Sequence, residues 1–159
     1  MEKSLRLFKF LKLILTLSLF LFFGEFKSDA KNASSKIIEN NHVQLRLISS
    51  SIAVGDTETL RLGLHFTMKP GWKIYWRSPG DAGYPPSIDW KGSTNLSEAK
   101  MLWPAPQRFS VLGLETLGYK NEVLYPIVVR LQSPGEALHA VANIDYLTCN
   151  DICIPYKAN

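Results

Sequence analysis

The sequence predicts an all-β fold, an antiparallel β-sandwich of immunoglobulin-like type. Apolar and polar residues alternate with a period of two in several short segments, and Gly/Pro turns separate these segments roughly every ten residues. No segment carries a convincing long helical period. Short strands without intervening helices are typical of sandwiches, and a small closed barrel is the alternative that the same pattern allows.

The first thirty residues have the features of a cleaved secretory signal. Four basic residues precede an apolar run over residues 13–23, and small residues follow where a signal peptidase cleaves. A membrane-spanning helix needs about 20 apolar residues, so this run is too short to be one. We therefore expect residues 1–30 to be a signal peptide, residues 31–42 a polar linker, and residues 43–159 the folded domain.

The charge of the expected mature chain excludes one class of partner. Removing five basic and three acidic side chains from totals of 18 and 14 leaves 13 and 11, a net charge of +2. Charges of both signs are interspersed, and no block of Lys and Arg remains. The chain therefore lacks the electrostatic signature of a nucleic-acid-binding protein.

Strand patterns occur in seven segments of the expected domain. The cleanest alternation runs from Thr59 to Met68, where every second residue is apolar. Pro126 interrupts the sixth segment and predicts that it is an edge strand or a bulged strand, because proline cannot donate to a sheet ladder. The seven segments are residues 43–47, 59–68, 72–77, 87–91, 99–103, 122–131 and 137–148.

The segment at residues 72–77 places aromatic side chains on both faces of a strand. Trp72 and Trp76 share one face with Ile74, and we expect both tryptophans in the core, because large aromatic side chains dominate sandwich interiors. The opposite face carries Lys73, Tyr75 and Arg77. The following loop, residues 78–86, is rich in Gly and Pro, which favours a simple turn over a capping or partner-binding loop.

Cys149 and Cys153, the two cysteines of the chain, are separated by three residues. In a straight strand their Cα atoms would lie ~13 Å apart, whereas a disulfide requires less than about 7 Å. Asn150 and Asp151 are good turn residues, so the pair is expected to face each other across a tight hairpin. Closing so short a loop stabilises a fold by only ~2 kcal/mol, against ~4.7 kcal/mol for a loop of about one hundred residues, which favours exchange chemistry over a structural role.

Two other interpretations of the cysteines remain open. The first is a purely structural disulfide in an exported, non-catalytic interaction module of immunoglobulin-like fold. The second is a Cu(I) site to which Met68 and Met101 contribute with the two thiolates. None of the three histidines is near the cysteines in sequence, and no other metal or cofactor is expected.

Four segments together resemble a known family. The stretches "GWKIYWRSPGDAGYPPSIDW", "LWPAPQRF", "LGYKNEVLYPIVV" and "YLTCNDICIP", in that order, are similar to the N-terminal periplasmic domain of the thiol:disulfide interchange protein DsbD, in its ScsB-like branch. The resemblance covers essentially all of the expected mature chain. Its most specific parts are the aromatic-Arg-x-Pro-Gly-Asp-x-Gly stretch and the Cys-x-x-x-Cys-x-Pro tail.

The resemblance implies an immunoglobulin-like component of a protein-disulfide reductase in the periplasm. Such a domain takes electrons from a membrane-embedded electron-relay domain and passes them to periplasmic thioredoxin-like proteins and disulfide isomerases. By the same resemblance, Cys149 and Cys153 are the redox pair: Cys153 forms the mixed disulfide with partners and Cys149 resolves it. Tyr75 is the candidate for the side chain that caps the pair.

The resemblance also favours a fragment of a longer protein, with a stand-alone form as the alternative. The membrane helices and the thioredoxin-like domain of the relay do not occur in the sequence, and only six residues follow Cys153. We therefore expect the last strand or strands of the sandwich to be missing. If the protein continues, the domain is expected to be tethered to the inner membrane.

Overall fold

Two antiparallel β-sheets form the fold in the computed structural model, which describes residues 33–111 and 113–159. The expected signal peptide, residues 1–30, lies outside the described residues. No helix in the described part of the chain is long and apolar enough to cross a membrane. The strands are β1 (Ile38–Glu39), β2 (Val43–Ser49), β3 (Thr59–Met68), β4 (Lys73–Gly80), β5 (Ser87–Asp89), β6 (Leu96–Met101), β7 (Gln107–Val111), β8 (Leu114–Lys120), β9 (Glu122–Leu131), β10 (Asn143–Cys149) and β11 (Cys153–Ala158).

The first sheet has the strand order β1-β2-β3-β9-β6. Its central ladders are long: β2 and β3 pair over seven residues, and β3 and β9 pair over nine. The strict alternation of β3 follows from this position, because one face of the strand packs on the core while the other faces outward. The period-two prediction for this strand is confirmed.

The prediction that Pro126 marks an edge or bulged strand is wrong. Strand β9 lies between β3 and β6, and Pro126 pairs in register with Gly63 of β3. On the other side β6 ends at Met101, opposite Ile127. The Pro126 carbonyl still accepts a hydrogen bond from the Leu102 N–H (2.7 Å), so the missing proline N–H falls just past the end of β6.

The second sheet has the order β11-β10-β4-β8-β7, and β5 pairs with the opposite end of β10. Its central ladders are short and irregular. Strand β4 pairs with β10 only at Lys73 and Ile74, and its register with β8 shifts between Tyr75 and Gly80. Strand β4 extends to Gly80, so it includes residues 78–80, the first three residues of the predicted loop.

Two strands of the second sheet, β7 and β8, were not predicted from the sequence. Both faces of β8 are covered from Thr116 to Tyr119, so the polar and apolar residues do not alternate there as in a half-buried strand. Thr116 and Gly118 occupy buried positions on one face, and Tyr119 is buried on the other. A Cβ atom on Gly118 would overlap the Ile74 carbonyl oxygen, so glycine here permits close approach of β4.

The main core lies between the two sheets and contains several aromatic side chains. The ring of Phe66 makes edge contacts with those of Tyr125 and Tyr146, at centroid distances of 5.9 and 5.0 Å. The buried Tyr125 hydroxyl donates a hydrogen bond to the Tyr75 carbonyl (2.8 Å), which links β9 of the first sheet to β4 of the second. Two antiparallel sheets around one core confirm the predicted immunoglobulin-like sandwich.

The two ends of the described chain also contribute strands. Part of the expected polar linker forms β1, and Ser34 makes an isolated bridge to Ile48 of β2. The residues from Cys153 to Ala158 form β11, which pairs with β10 along its full length. The segment after the second cysteine is thus part of the second sheet.

Candidate functional site

The β10–β11 hairpin holds the two cysteines directly opposite each other. Cys149 ends β10, Cys153 begins β11, and the two residues pair in register with a Cα–Cα distance of 4.1 Å. A three-residue turn connects them, closed by a hydrogen bond from the Asn150 N–H to the Ile152 carbonyl (3.0 Å). The two sulfurs form a disulfide. The hairpin predicted from the spacing of the cysteines is confirmed.

The two sulfur-bearing residues differ in exposure. Cys149 is fully buried, with 0% of its surface exposed, whereas Cys153 is exposed at the start of an edge strand. The Cys153 side of the bond is therefore accessible to solvent, while the Cys149 side is shielded. The asymmetry arises because β10 is covered by its neighbours, and β11 has a neighbour on only one side.

Cys149 belongs to a small apolar cluster on the outer face of the second sheet, which we call the outer cluster. It is separate from the main core and comprises Tyr75, Phe109, Val111, Leu147 and Cys149. Tyr75, the residue predicted to cap the redox pair, is fully buried in it. Its hydroxyl has no hydrogen-bond partner among the described residues, and burial raises its pKa.

Residues 81–86, the remainder of the predicted loop, cross the outer face above Tyr75. A Cβ atom on Gly83 would overlap the Tyr75 ring, so the loop backbone lies directly on that ring. One end is held where Asp81 accepts a hydrogen bond from the Glu115 N–H (3.2 Å). Beyond Gly83, the Tyr84 hydroxyl donates to the Asp145 carboxylate (3.3 Å). The loop therefore covers the outer cluster, although its composition favoured a simple turn.

Trp72 and Trp76 point to the opposite side of β4, as the alternation predicts. Both are partly buried and pack against the main core. Trp72 also stacks on His42 at a centroid distance of 3.8 Å, and the His42 ring is hydrogen-bonded to the Tyr156 hydroxyl of β11 (2.7 Å). These contacts attach the second arm of the cysteine hairpin to the body of the sandwich.

Two lysines beside the disulfide were not identified from the sequence. Lys73 pairs in register with Cys149 on one side and with Lys120 on the other. Both ammonium groups lie over the Phe109 ring of the outer cluster, at 5.6 and 5.5 Å from its centroid. The face shared by Lys73 and Tyr75 was a usable signal for the first lysine, but β8 had not been recognised, so Lys120 had no predicted place.

The structure does not bring together the residues of the alternative copper site. Met68 and Met101 lie in strands of the first sheet and pack in or against the main core, whereas Cys149 lies in the outer cluster of the second sheet. Within the described residues, no group of three or more His, Cys, Asp and Glu side chains is placed to hold a metal ion.

Comparison with known proteins agrees with this geometry. Residues 44–159 match the family described as "Thiol:disulfide interchange protein DsbD, N-terminal". The N-terminal periplasmic domain of ScsB from Proteus mirabilis is similar to the chain in structure, with 32% sequence identity and a TM-score of 0.64 over 80% of the chain. The match spans 49% of that domain's length.

None of the curated protein sequences compared with the chain matches it. The family match covers most of the chain and contains both cysteines, the loop over Tyr75 and every strand from β3 onward. The resemblance seen in the sequence is thereby confirmed, and the chain belongs to the family of N-terminal domains of the thiol:disulfide interchange protein DsbD.

Proposed function

We propose that the protein is a periplasmic thiol-disulfide exchange domain that passes reducing equivalents to oxidised proteins through Cys149 and Cys153. The observation that carries the proposal is the unequal exposure of the two opposed cysteines in a member of this family. Exchange requires one accessible sulfur that a partner can reach and a second sulfur close enough to displace that partner. An exposed Cys153 and a buried Cys149 meet these two requirements.

The reaction proceeds in two exchange steps. In the reduced domain the Cys153 thiolate attacks a partner disulfide: a Cys153–partner sulfur bond forms, the partner bond breaks, and one partner sulfur leaves as a thiolate. The Cys149 thiolate then attacks the Cys153 sulfur, re-forms the Cys149–Cys153 disulfide and releases the second partner thiolate. The partner gains two electrons and two protons, and the domain dithiol is oxidised.

The proposed partners are those that the family and its ScsB relative suggest. The similar ScsB domain is described as periplasmic. We propose the same location here, with a membrane-embedded relay domain as electron donor. Thioredoxin-like proteins and disulfide isomerases of the periplasm are the proposed acceptors. The chain spans about half the length of the similar domain, so these partners are proposed for the part of the relay that the chain represents.

Tyr75 and the loop at residues 81–86 are the proposed cap of the redox pair. Their packing supports the role, because Gly83 rests on the Tyr75 ring and Tyr75 shares a cluster with Cys149. A cap of this kind keeps water and small thiols away from Cys149 while the disulfide is intact. It leaves Cys153 exposed to a docked partner.

The test compares single-cysteine variants. The Cys149→Ser variant is expected to form a mixed disulfide with oxidised glutathione at least tenfold faster than the Cys153→Ser variant, since only Cys153 is exposed. The rates are measured by mass spectrometry of quenched samples. A serine replacement at both positions is the matched blank. Equal rates in the two single variants, or a faster reaction of Cys149, would contradict the assigned roles.

The reduction potential distinguishes the exchange domain from the interaction module. Equilibration of the purified protein in graded thiol buffers is expected to give a value of roughly −180 to −270 mV, as in working oxidoreductases. A value well below about −300 mV marks a structural disulfide and would favour a non-catalytic immunoglobulin-like module.

A further inference from the structure

Lys73 has an unusual position in the second sheet. It pairs in register with Cys149 across β10, and its carbonyl accepts a hydrogen bond from the Thr148 hydroxyl (2.9 Å). Its ammonium group donates to the Gly71 carbonyl (3.2 Å), and Gly71 packs against Asn150 in the turn between the cysteines. These contacts hold the cation at the end of β4 that borders the disulfide.

Lys73 also faces a second cation. Lys120 is its directly opposed neighbour on β8, and like charges in that arrangement destabilise a sheet. Among the described residues neither ammonium group forms an ion pair with a carboxylate. Both cations instead lie over the ring of Phe109, which compensates part of their repulsion. An acidic residue at either position would remove the repulsion and would also neutralise the positive charge beside Cys149.

Cys149 needs such a charge if it is to act as a thiolate. It is fully buried among the apolar side chains of the outer cluster, and burial of this kind raises the pKa of a thiol. A nearby cation acts in the opposite direction, since it stabilises the thiolate. We propose that Lys73 is a positioning residue that stabilises the Cys149 thiolate for the step in which Cys149 displaces the bound partner. This inference rests on the proposed function.

Other charged and titratable side chains lie on the elements around Cys149. Strand β4 carries Tyr75 and the exposed Arg77, β8 carries Lys120, and the covering loop carries Asp81 and Tyr84. The turn contributes the exposed Asp151, whose negative charge opposes the effect of Lys73. At the far end of the hairpin, Asp145 and Lys157 form an ion pair with each other (3.9 Å).

The proposed role concerns one bond exchange. The Cys149 thiolate forms a bond with the Cys153 sulfur, the bond between Cys153 and the partner breaks, and its electron pair leaves on the partner sulfur, which takes a proton from water. Lys73 takes no part in bond making. It increases the fraction of Cys149 that is present as the attacking thiolate at neutral pH.

The test is a titration of Cys149 in the Cys153→Ser protein, in which it is the remaining thiol. Absorbance at 240 nm reports the thiolate without any need for a reagent to reach the buried sulfur. Replacement of Lys73 by Met is expected to raise the pKa of Cys149 by about one unit, as expected for removal of a cation from a neighbouring residue. Replacement by Arg is expected to keep it within about 0.3 units.

Lys120→Met is the matched control, because it removes a cation from the same row one strand further from Cys149. Its expected shift is less than half that of Lys73→Met. Circular dichroism establishes that each variant is folded, and Lys73→Gln is the second variant if Lys73→Met is not. A shift below about 0.5 units on removal of Lys73, or an equal shift in the Lys120 control, overturns the proposal. The titration involves one thiol and no partner. Absence of the expected pKa shift is therefore distinguishable from absence of the exchange reaction.

Discussion

The two sheets of the sandwich differ in regularity, and the candidate site lies in the less regular one. In the first sheet, β3 pairs with β9 over nine consecutive residues without interruption. In the second sheet, β4 pairs with β10 over only two residues and shifts register against β8. Long ladders provide many coupled hydrogen bonds, whereas short ladders leave backbone N–H and C=O groups outside the sheet pairing. The candidate site therefore lies where the sheet has fewer paired backbone groups, and such regions tend to have lower local stability than long ladders.

The apolar clusters of the molecule show the same difference. Among the residues that the structure describes, the main core between the sheets contains fifteen buried residues, whereas the outer cluster contains five. Removing a side chain from the main core affects both sheets at once. Changes in the outer cluster affect only the surroundings of Cys149 and the loop over Tyr75. Three predictions use this contrast, and they follow in order of decreasing expected effect.

The largest effect is expected in the main core. Phe66→Ala removes a fully buried ring in contact with Tyr125 and Tyr146, and we expect the free energy of unfolding to fall by about 3–5 kcal/mol. The reduction potential of the disulfide is expected to stay unchanged in protein that remains folded. Urea denaturation measures the first quantity, and equilibration with thiol buffers measures the second.

Leu124→Ala is the control for the Phe66 variant. Leu124 lies on β9 of the same sheet, but it is 42% exposed, so its truncation is expected to cost less than about 1 kcal/mol. Phe66→Leu provides a milder change if the alanine variant does not fold. A loss of stability for Phe66→Ala no greater than that of the control would contradict the expected role of the main core. A changed reduction potential would show that the main core and the outer cluster are not separate.

An intermediate effect is expected at alkaline pH. Burial raises the pKa of Tyr119 and of Tyr146 to about 12, and the hydrogen bond from Asn40 to Tyr146 only partly offsets it. Burial also raises the pKa of Tyr125. The folded state therefore retains these protons where the unfolded chain, with a tyrosine pKa near 10, has lost them. Stability is expected to be complete below pH 10 and to fall as the pH rises from 10 towards 12.

Denaturant midpoints between pH 8 and pH 12 measure this loss. Tyr146→Phe removes one of the ionisable hydroxyls, so its stability is expected to depend less steeply on pH above 10 than that of the unmodified protein. Between pH 8 and pH 9 the two proteins are expected to show parallel behaviour. If the two curves remain parallel up to pH 12, ionisation of Tyr146 is not coupled to unfolding.

Gly83→Ala is expected to change the stability of the fold least. Its main effect is expected on the rate at which the disulfide is reduced, and it is confined to the second sheet. The added Cβ atom overlaps the Tyr75 ring, so the loop must move away from the outer cluster. We expect reduction of the disulfide by dithiothreitol to become about tenfold faster, equivalent to about 1.4 kcal/mol in the barrier. Stopped-flow measurement of thiol release gives the rate.

Gly113→Ala is the matched control for Gly83→Ala. Both glycines have a positive φ angle, +83° at Gly113 and +91° at Gly83, so the backbone strain is similar. A Cβ atom on Gly113 meets no heavy atom within 4 Å. An equal acceleration in both variants would mean that strain, and not uncovering of the outer cluster, is responsible.

The sequence was most informative where one face of a strand is buried and the other is not. The alternation in β3 and the bounds of β9 agree with the predicted segments 59–68 and 122–131. It was least informative for β8, where Thr116 and Gly118 occupy buried outer positions and interrupt the apolar pattern. Close packing of β4 against β8 required small residues there, and that requirement cannot be read from the local pattern.

The candidate site shows the same division. The spacing of Cys149 and Cys153 and the turn residues between them predicted the hairpin, because chain geometry allows few other ways to close so short a bridge. The alternating faces of residues 72–77 predicted that Tyr75 lies on the side opposite Trp72 and Trp76. Such local features depend on residues a few positions apart, and they can be recognised without knowledge of the fold.

The sequence by itself determined most of the strand-forming segments, though not β7 and β8, as well as the all-β class, the cysteine hairpin and, through its motifs, the family. Only the tertiary structure decided that Cys149 is buried while Cys153 is exposed, that Gly83 covers Tyr75, and that two lysines are opposed beside the disulfide. The physical reason is that exposure and cross-strand neighbours depend on which strands pair and in what register. That choice is made by contacts between residues distant in sequence, which a local pattern does not contain.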